Sequence, residues 1–457
     1  MKSHFLICLF LVGIHATGYT QSELPDNFFL TKLGNGLEVL TIEDNTVPLA
    51  TVEITVRNGA YTESPEYDGL SHLYEHMFFK ANKDLDSQEK FIKRTNELGL
   101  VWNGTTSGER VNYFFTMSNL KLTEGLEFMN SAIRYPLFLE EEMKKENPVV
   151  DGEFQRAESS PTFYLFQDMD RQLWGDLYSR KNTIGDHDII LTATPEKMRV
   201  VQEKYYYPNN SILVVAGDVK HENVEAQAKA IFGDWEASDF DPFEKYPIPE
   251  FEPLKGDSYF VTANDNARNP MMLKNFHGPD TRNDIPATYA ADVFSFILSQ
   301  RSSRFQQNLV ESGLAYQAQV YYQTNKYVGP IGVFLVPNPG KIKECYQALQ
   351  AEIDLWDSDD YFSDEQLETA KTLLSISDAY SQEKTSQFVH TVTYWWASAS
   401  IEYYTGYVDN LNKVTRDDIK RYVQTYIKGK PGALGLLISP DMKNQLGVES
   451  LESFLAE

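Results

Sequence analysis

Apolar and polar residues alternate in Ala50-Thr-Val-Glu-Ile-Thr-Val56, the period of a strand with one face in a core and one in water. Upstream, Phe28–Lys32 and Glu38–Glu43 flank Gly34-Asn-Gly36 and read as a hairpin. Val101–Thr106 and Val111–Met117 read as adjacent strands. The intervening segments change to helical spacing: about Gly69 to Lys80, then Ser87–Leu98, which stops at Gly99, then 121–134, 140–158 and 162–176.

One motif returns. Thr194-Pro opens a helical stretch to Tyr205, with threonine as N-cap and proline at the first helical position, and the apolar strand Ile212–Ala216 follows. Thr415 opens an equivalent stretch to Tyr426, followed by the apolar run Leu434–Ile438, with Leu434 as far from Thr415 as Leu213 is from Thr194. These read as the ends of two copies of one unit, an internal duplication. Residues 234–255 are rich in Asp, Glu, Pro and Phe and show no period, so they read as the linker. The expected layout is an N-terminal domain at 22–233 and a C-terminal domain at 256–457. Strands and helices are mixed without strict βαβ alternation, an α+β class.

The chemistry concentrates in His72-Leu-Tyr-Glu-His76. On a helix, His72 and His76 leave from one face and can share one metal ion, while Glu75 can lean over the same place as general base. The segment is the inverted form, H-x-x-E-H, of a zinc-peptidase signature. A catalytic zinc needs a third protein ligand. Glu146 and Glu153 stand seven residues apart, two helical turns, so on an unbroken helix they point the same way. Either could ligate while the other hydrogen-bonds a histidine, and Pro148 between them could kink the helix. Glu141, Glu142 and Glu158 read as plain surface acids. The second half has no histidine pair at helical spacing; His277 and His390 read as packed or surface residues.

Composition narrows the partners. The formal net charge of −25 argues against nucleic acid and anionic membrane surfaces. Residues 1–21 read as a secretory signal: Lys2, the apolar run Phe5–Ile14, then Ala16-Thr-Gly18. No other stretch is long and apolar enough for an anchor, so a periplasmic or secreted location is expected. Removing the signal takes Cys8 and leaves Cys345 as a lone, buried thiol.

These motifs together resemble the M16 family of zinc metallopeptidases, the insulinase, pitrilysin and mitochondrial-processing-peptidase group, in its short two-domain form (M16B). Gly69–Lys80 resembles the family block around the motif, and Tyr-x-Pro-Asn-Asn210 and Leu-Val-Val-Ala-Gly-Asp218 also fit. The resemblance implies two homologous domains, each a mostly antiparallel sheet with helices packed on it, as in LuxS and the processing peptidase. It implies one Zn²⁺ per chain held by His72, His76 and Glu153, with Glu75 as catalytic base and Glu146 supporting the site. Asn103-Gly-Thr-Thr106 resembles the strand that pairs with the substrate backbone, so Asn103, Gly104 and Thr105 are substrate-binding candidates. The family's second half often carries an arginine and a tyrosine seven apart. Tyr316 matches the tyrosine, but Leu309 stands at the arginine position, and Arg301 and Arg304 are off register. The implied function is hydrolysis of extended peptides in a cleft between the two domains, with a second M16 subunit as the candidate source of the missing arginine; a homodimer is the other assembly the resemblance allows. The rival reading is a non-catalytic subunit of the same fold.

Overall fold

The computed structural model describes residues 24–456, so the expected signal lies outside the described residues. Two sheets carry the molecule. The first has the order β1-β2-β6-β3-β5-β4, from strands Phe28–Lys32 (β1), Glu38–Glu43 (β2), Leu49–Val56 (β3), Val101–Thr106 (β4), Val111–Ser118 (β5) and Ser211–Gly217 (β6). The second has the order β7-β11-β8-β10-β9, from Ser258–Ala263 (β7), Met271–His277 (β8), Ala315–Tyr322 (β9), Pro330–Pro337 (β10) and Ala433–Ile438 (β11).

The second sheet repeats the first without β1. In each, one parallel pair (β2 with β6, β7 with β11) is followed by three antiparallel pairings. The repeated threonines cap as expected: Thr194 accepts from the Lys197 amide and Thr415 from the Asp418 amide, each one helix before the parallel strand. The fold is α+β, with two antiparallel-rich sheets and helices laid on them.

The alternation in β3 is only half of its environment. Ala50, Val52, Ile54 and Val56 face the first core, but Glu53 and Thr55 on the other face are also fully buried. A helix from the second half, Thr385–Ser398 (α4 below), lies across that face and seats Phe388, Val389, Val392 and Trp396 against Leu40, Ile42 and Val214. The exchange is mutual. Helix Phe163–Trp174 (α3), from the first half, lays Leu165, Met169 and Leu173 on Leu273, Ala433 and Leu437 of the second sheet. Each half covers one face of its partner's sheet.

Two hairpin tips pin the halves together. Glu109, between β4 and β5, accepts the backbone amides of Lys326 and Tyr327 at 2.7–3.1 Å. Lys181 donates to the carbonyls of Tyr327 and Val328 at 2.8 and 2.9 Å. The loop between β9 and β10 is thus clamped from both sides.

Among the described residues no helix is long and apolar enough to cross a membrane. Cys345 is buried and free, and burial pushes its thiol up to about 11.

Candidate metal centre

The helix bearing the two histidines is short, Leu70–Phe78 (α1). Leu70, Leu73, Tyr74, Met77 and Phe78 anchor it in the first core and leave His72, Glu75 and His76 on the open side. Its start is built with care. Gly69 adopts a left-handed conformation, φ 88°, and packs on Gly185 so closely that a Cβ on Gly69 would stand 2.5 Å from the Gly185 Cα. The buried Glu63 carboxylate accepts the amides of Gly69 (2.8 Å) and Ser71 (2.6 Å), two of the free N–H groups of the first turn.

The glutamates come from one unbroken helix, Glu140–Glu158 (α2), which passes through Pro148 without ending. Glu146 and Glu153 therefore share a face, as the seven-residue spacing requires. Glu146 Oε1 lies 2.8 Å from His76 Nδ1, and its Oε2 accepts from the buried Lys80 ammonium. Glu153 reaches both histidines: its Oε2 is 3.5 Å from His72 Nε2 and its Oε1 is 3.7 Å from His76 Nε2. Glu142, one turn before Glu146, accepts the amides of Ala81 (2.9 Å) and Gln88 (2.7 Å), fixing the exit of α1 to the start of the next helix. Glu142 is therefore more than the surface acid its setting suggested. Its i,i+4 relation to Glu146 was the available signal. Glu141 and Glu158 keep surface roles, pairing with Lys144 and with the Tyr164 hydroxyl.

This geometry tests whether a metal fits. The ligand atoms of His72, His76 and Glu153 all lie within 4.8 Å of one another. Donors about 2.0–2.1 Å from one tetrahedral zinc are about 3.4 Å apart. The observed 3.5 and 3.7 Å match that separation and are too long for hydrogen bonds. The donor set, two imidazoles and a carboxylate, suits zinc. Burial, with His76 close by, lowers the His72 pKa to about 4, so its imidazole is neutral, as a ligand must be. Burial opposes charge on His76 as well, but the bond to Glu146 and the nearby Glu75 and Glu153 carboxylates hold its pKa above the ordinary value.

Glu75 is buried beside this triad. Its Oε2 accepts from the Thr106 hydroxyl at 2.8 Å, and desolvation keeps its pKa above the usual carboxylate range. Across from it runs β4, the edge of the first sheet. Asn103 and Thr105 are exposed there, and Gly104 lies against Glu75. Glu75, the histidines, both site glutamates and residues 102–106 line one cavity of about 500 Å³, to which Thr183 and Ile184 also contribute. Its lining comes entirely from residues 72–184; no residue of the second half takes part. The expected cleft between the two domains is therefore not how this cavity is walled.

The other candidates lie elsewhere. Tyr316, on the edge strand β9, is 60% exposed and does not line the cavity. Leu309 is fully buried in the turn Gln307–Glu311. Arg301 pairs with Glu311 at 2.8 Å, and Arg304 lies 5.4 Å from the Tyr361 ring centroid. His277 stacks on Trp174, and His390 pairs with the buried Glu53. A second grouping, Glu43 with His221 and Glu222, is a structural cap: Glu43 accepts the His221 amide and pairs with Lys220 at 2.7 Å.

Comparison with known proteins agrees with this layout. Residues 38–185 match the family model described as insulinase (peptidase family M16), and residues 192–374 match the one described as peptidase M16 inactive domain. A protein of Rickettsia felis named as an uncharacterized zinc protease is 26% identical over 366 residues, 79% of this chain and 85% of that protein. A protease structure from Helicobacter pylori superposes with a TM-score of 0.80 at 22% identity, covering 90% of this chain and 99% of that one. The periplasmic protease PqqL of Escherichia coli gives a TM-score of 0.75 at 16% identity, over 95% of this chain and 50% of the longer neighbour.

Proposed function

The chain belongs to the M16 peptidase family, and from that premise we propose that it is a zinc metalloendopeptidase acting on extended peptides. The observation that carries this reading is the convergence of His72, His76 and Glu153 at zinc-ligand separations, with Glu75 beside them. Those three residues would hold one ion per chain. Zinc, when bound, supplies Lewis acidity toward a water and toward the scissile carbonyl. Glu75 takes the proton of the attacking water and delivers it to the departing amine. Thr106 aims the Glu75 carboxylate, and Glu146 fixes the His76 ring through Nδ1. The substrate lies along β4 as an added strand, with Asn103, Gly104 and Thr105 beneath its backbone. That mode suits short or unfolded peptides.

The active form needs a second chain, another M16 subunit that brings the arginine this chain lacks at position 309. Leu309 in place of the arginine, with a cavity lined by the first half alone, supports this. Tyr316 could serve only from such a neighbouring position. The apolar run at Phe5–Ile14 supports export to the periplasm or beyond. The rival, a non-catalytic subunit of the same fold, has no use for Glu75 beside an intact ligand set.

Purified protein should contain one zinc per chain, and should cleave an unstructured fluorogenic peptide when its partner chain is present. A wild-type chain that stays metal-free in excess zinc overturns the reading.

A further inference from the structure

Lys80 lies just past the C-cap Phe79 of α1, and its side chain is only 4% exposed. A buried ammonium is costly unless a carboxylate meets it. The carboxylate that does so is Glu146, through Oε2. Glu142 holds the backbone amide of Ala81 from the same helix, so Lys80 is presented inward by its own neighbour. Lys80 also lines the cavity beside His76 and Glu75.

We infer that Lys80 is the positioning residue that sorts two chemically identical carboxylates, making Glu146 the holder of His76 and leaving Glu153 to the metal. The inference rests on the metal reading proposed above. Glu146 and Glu153 share one face of one helix and both reach His76. What separates them is the company each keeps. Both oxygens of Glu146 are committed, one to His76 Nδ1 at 2.8 Å and the other to Lys80, so it cannot turn an oxygen toward the ion. Glu153 is half-exposed and pairs with the two histidines alone. The same arrangement settles the His76 tautomer. Nδ1–H donates to Glu146, and the Nε2 lone pair is left facing Glu153 and the metal. Without the ammonium, Glu146 keeps a free oxygen on the cavity side and competes for the ion.

The test is zinc affinity, measured by competition with a chromophoric chelator, together with the visible spectrum of the cobalt(II)-substituted chain. Lys80→Met should weaken zinc about 10- to 100-fold and alter the cobalt bands, because a different carboxylate set meets the metal. Lys80→Arg should restore both. Glu146→Gln and the double variant Glu146→Gln/Lys80→Met should agree within about threefold, since Lys80 acts through Glu146. Should Lys80→Met not fold, the double variant decides, because it leaves neither charge buried alone. Agreement with Glu146→Gln supports the inference, and a much weaker double variant overturns it. Wild-type affinity and spectrum in Lys80→Met overturn it as well. A wild-type chain that takes no metal sinks the metal reading, and Lys80 with it. Zinc in the wild type with an indifferent Lys80→Met sinks the Lys80 assignment alone.

Discussion

Glu75 rests on the bare Cα of Gly104: a methyl group there would stand 2.8 Å from Glu75 Cγ and 2.9 Å from its Oε1. The glycine is what lets a buried carboxylate lie between its helix and the edge strand while keeping the Thr106 hydroxyl. Valine suits a strand backbone but fills that space. Gly104→Val should fold and keep its zinc, yet lose at least about tenfold in turnover as Glu75 is pushed aside. Steady-state kinetics beside metal analysis checks this.

Glu75→Gln keeps the shape of the side chain and removes its basicity. Zinc content should match the wild type, and peptide turnover should fall about 100- to 10,000-fold. Peptide cleavage at the wild-type rate would reassign the base.

The entry to α1 should be sensitive to a single methyl. Gly69 sits at φ 88°, where a side chain costs about 1–2 kcal/mol, and its Cβ would meet the Gly185 Cα at 2.5 Å. Gly69→Ala should therefore lose about 2–4 kcal/mol in urea unfolding and weaken zinc binding, because His72 lies within the first helical turn.

Asp68 gives the fold a pH dependence of known sign. It is fully buried, and desolvation, with Asp186 nearby, raises its pKa from 3.8 to about 7 against the opposing bond from Asn182. The folded state holds this proton more tightly than the unfolded chain does. The associated stability is complete below about pH 3.8 and is lost as pH rises through about 7. Asp68→Asn still accepts from Asn182 and carries no such loss. Its advantage over wild type should grow between pH 4 and pH 8, by up to about 4 kcal/mol, in denaturant melts at each pH. A constant difference across that range would contradict the assignment.

Trp396 should matter to the first half although it belongs to the second. It is 2% exposed, its Nε1 donates to Glu38 at 3.1 Å, and the Arg57 guanidinium lies 3.6 Å from its ring centroid. Trp396→Ala should cost about 3–5 kcal/mol. Hydrogen exchange should accelerate in β2 and β6, on the face of the sheet that α4 covers.

Local order was readable from the residues themselves. The spacing of His72, Glu75 and His76 fixes one helix face, the seven residues from Glu146 to Glu153 fix another, and repeated Thr caps mark the duplication. The spacing alone left the two glutamates equivalent. Their difference depends on Lys80, sixty-six residues from Glu146. The alternation in β3 predicted a wet face for Glu53 and Thr55. It was silent about α4 because that helix arrives more than three hundred residues later. That the cavity is lined by the first half alone was equally hidden, since periodicity says which face is apolar and not which element faces it.

The traded helices α3 and α4 have a bearing on how such a chain could arise. A lone copy of the repeated unit leaves one side of its sheet bare and its own crossing helix without a seat. Two copies answer each other's need, whether or not a peptide bond joins them. Fusion into one polypeptide then adds proximity rather than a new contact, and cutting the linker should release two fragments that stay paired.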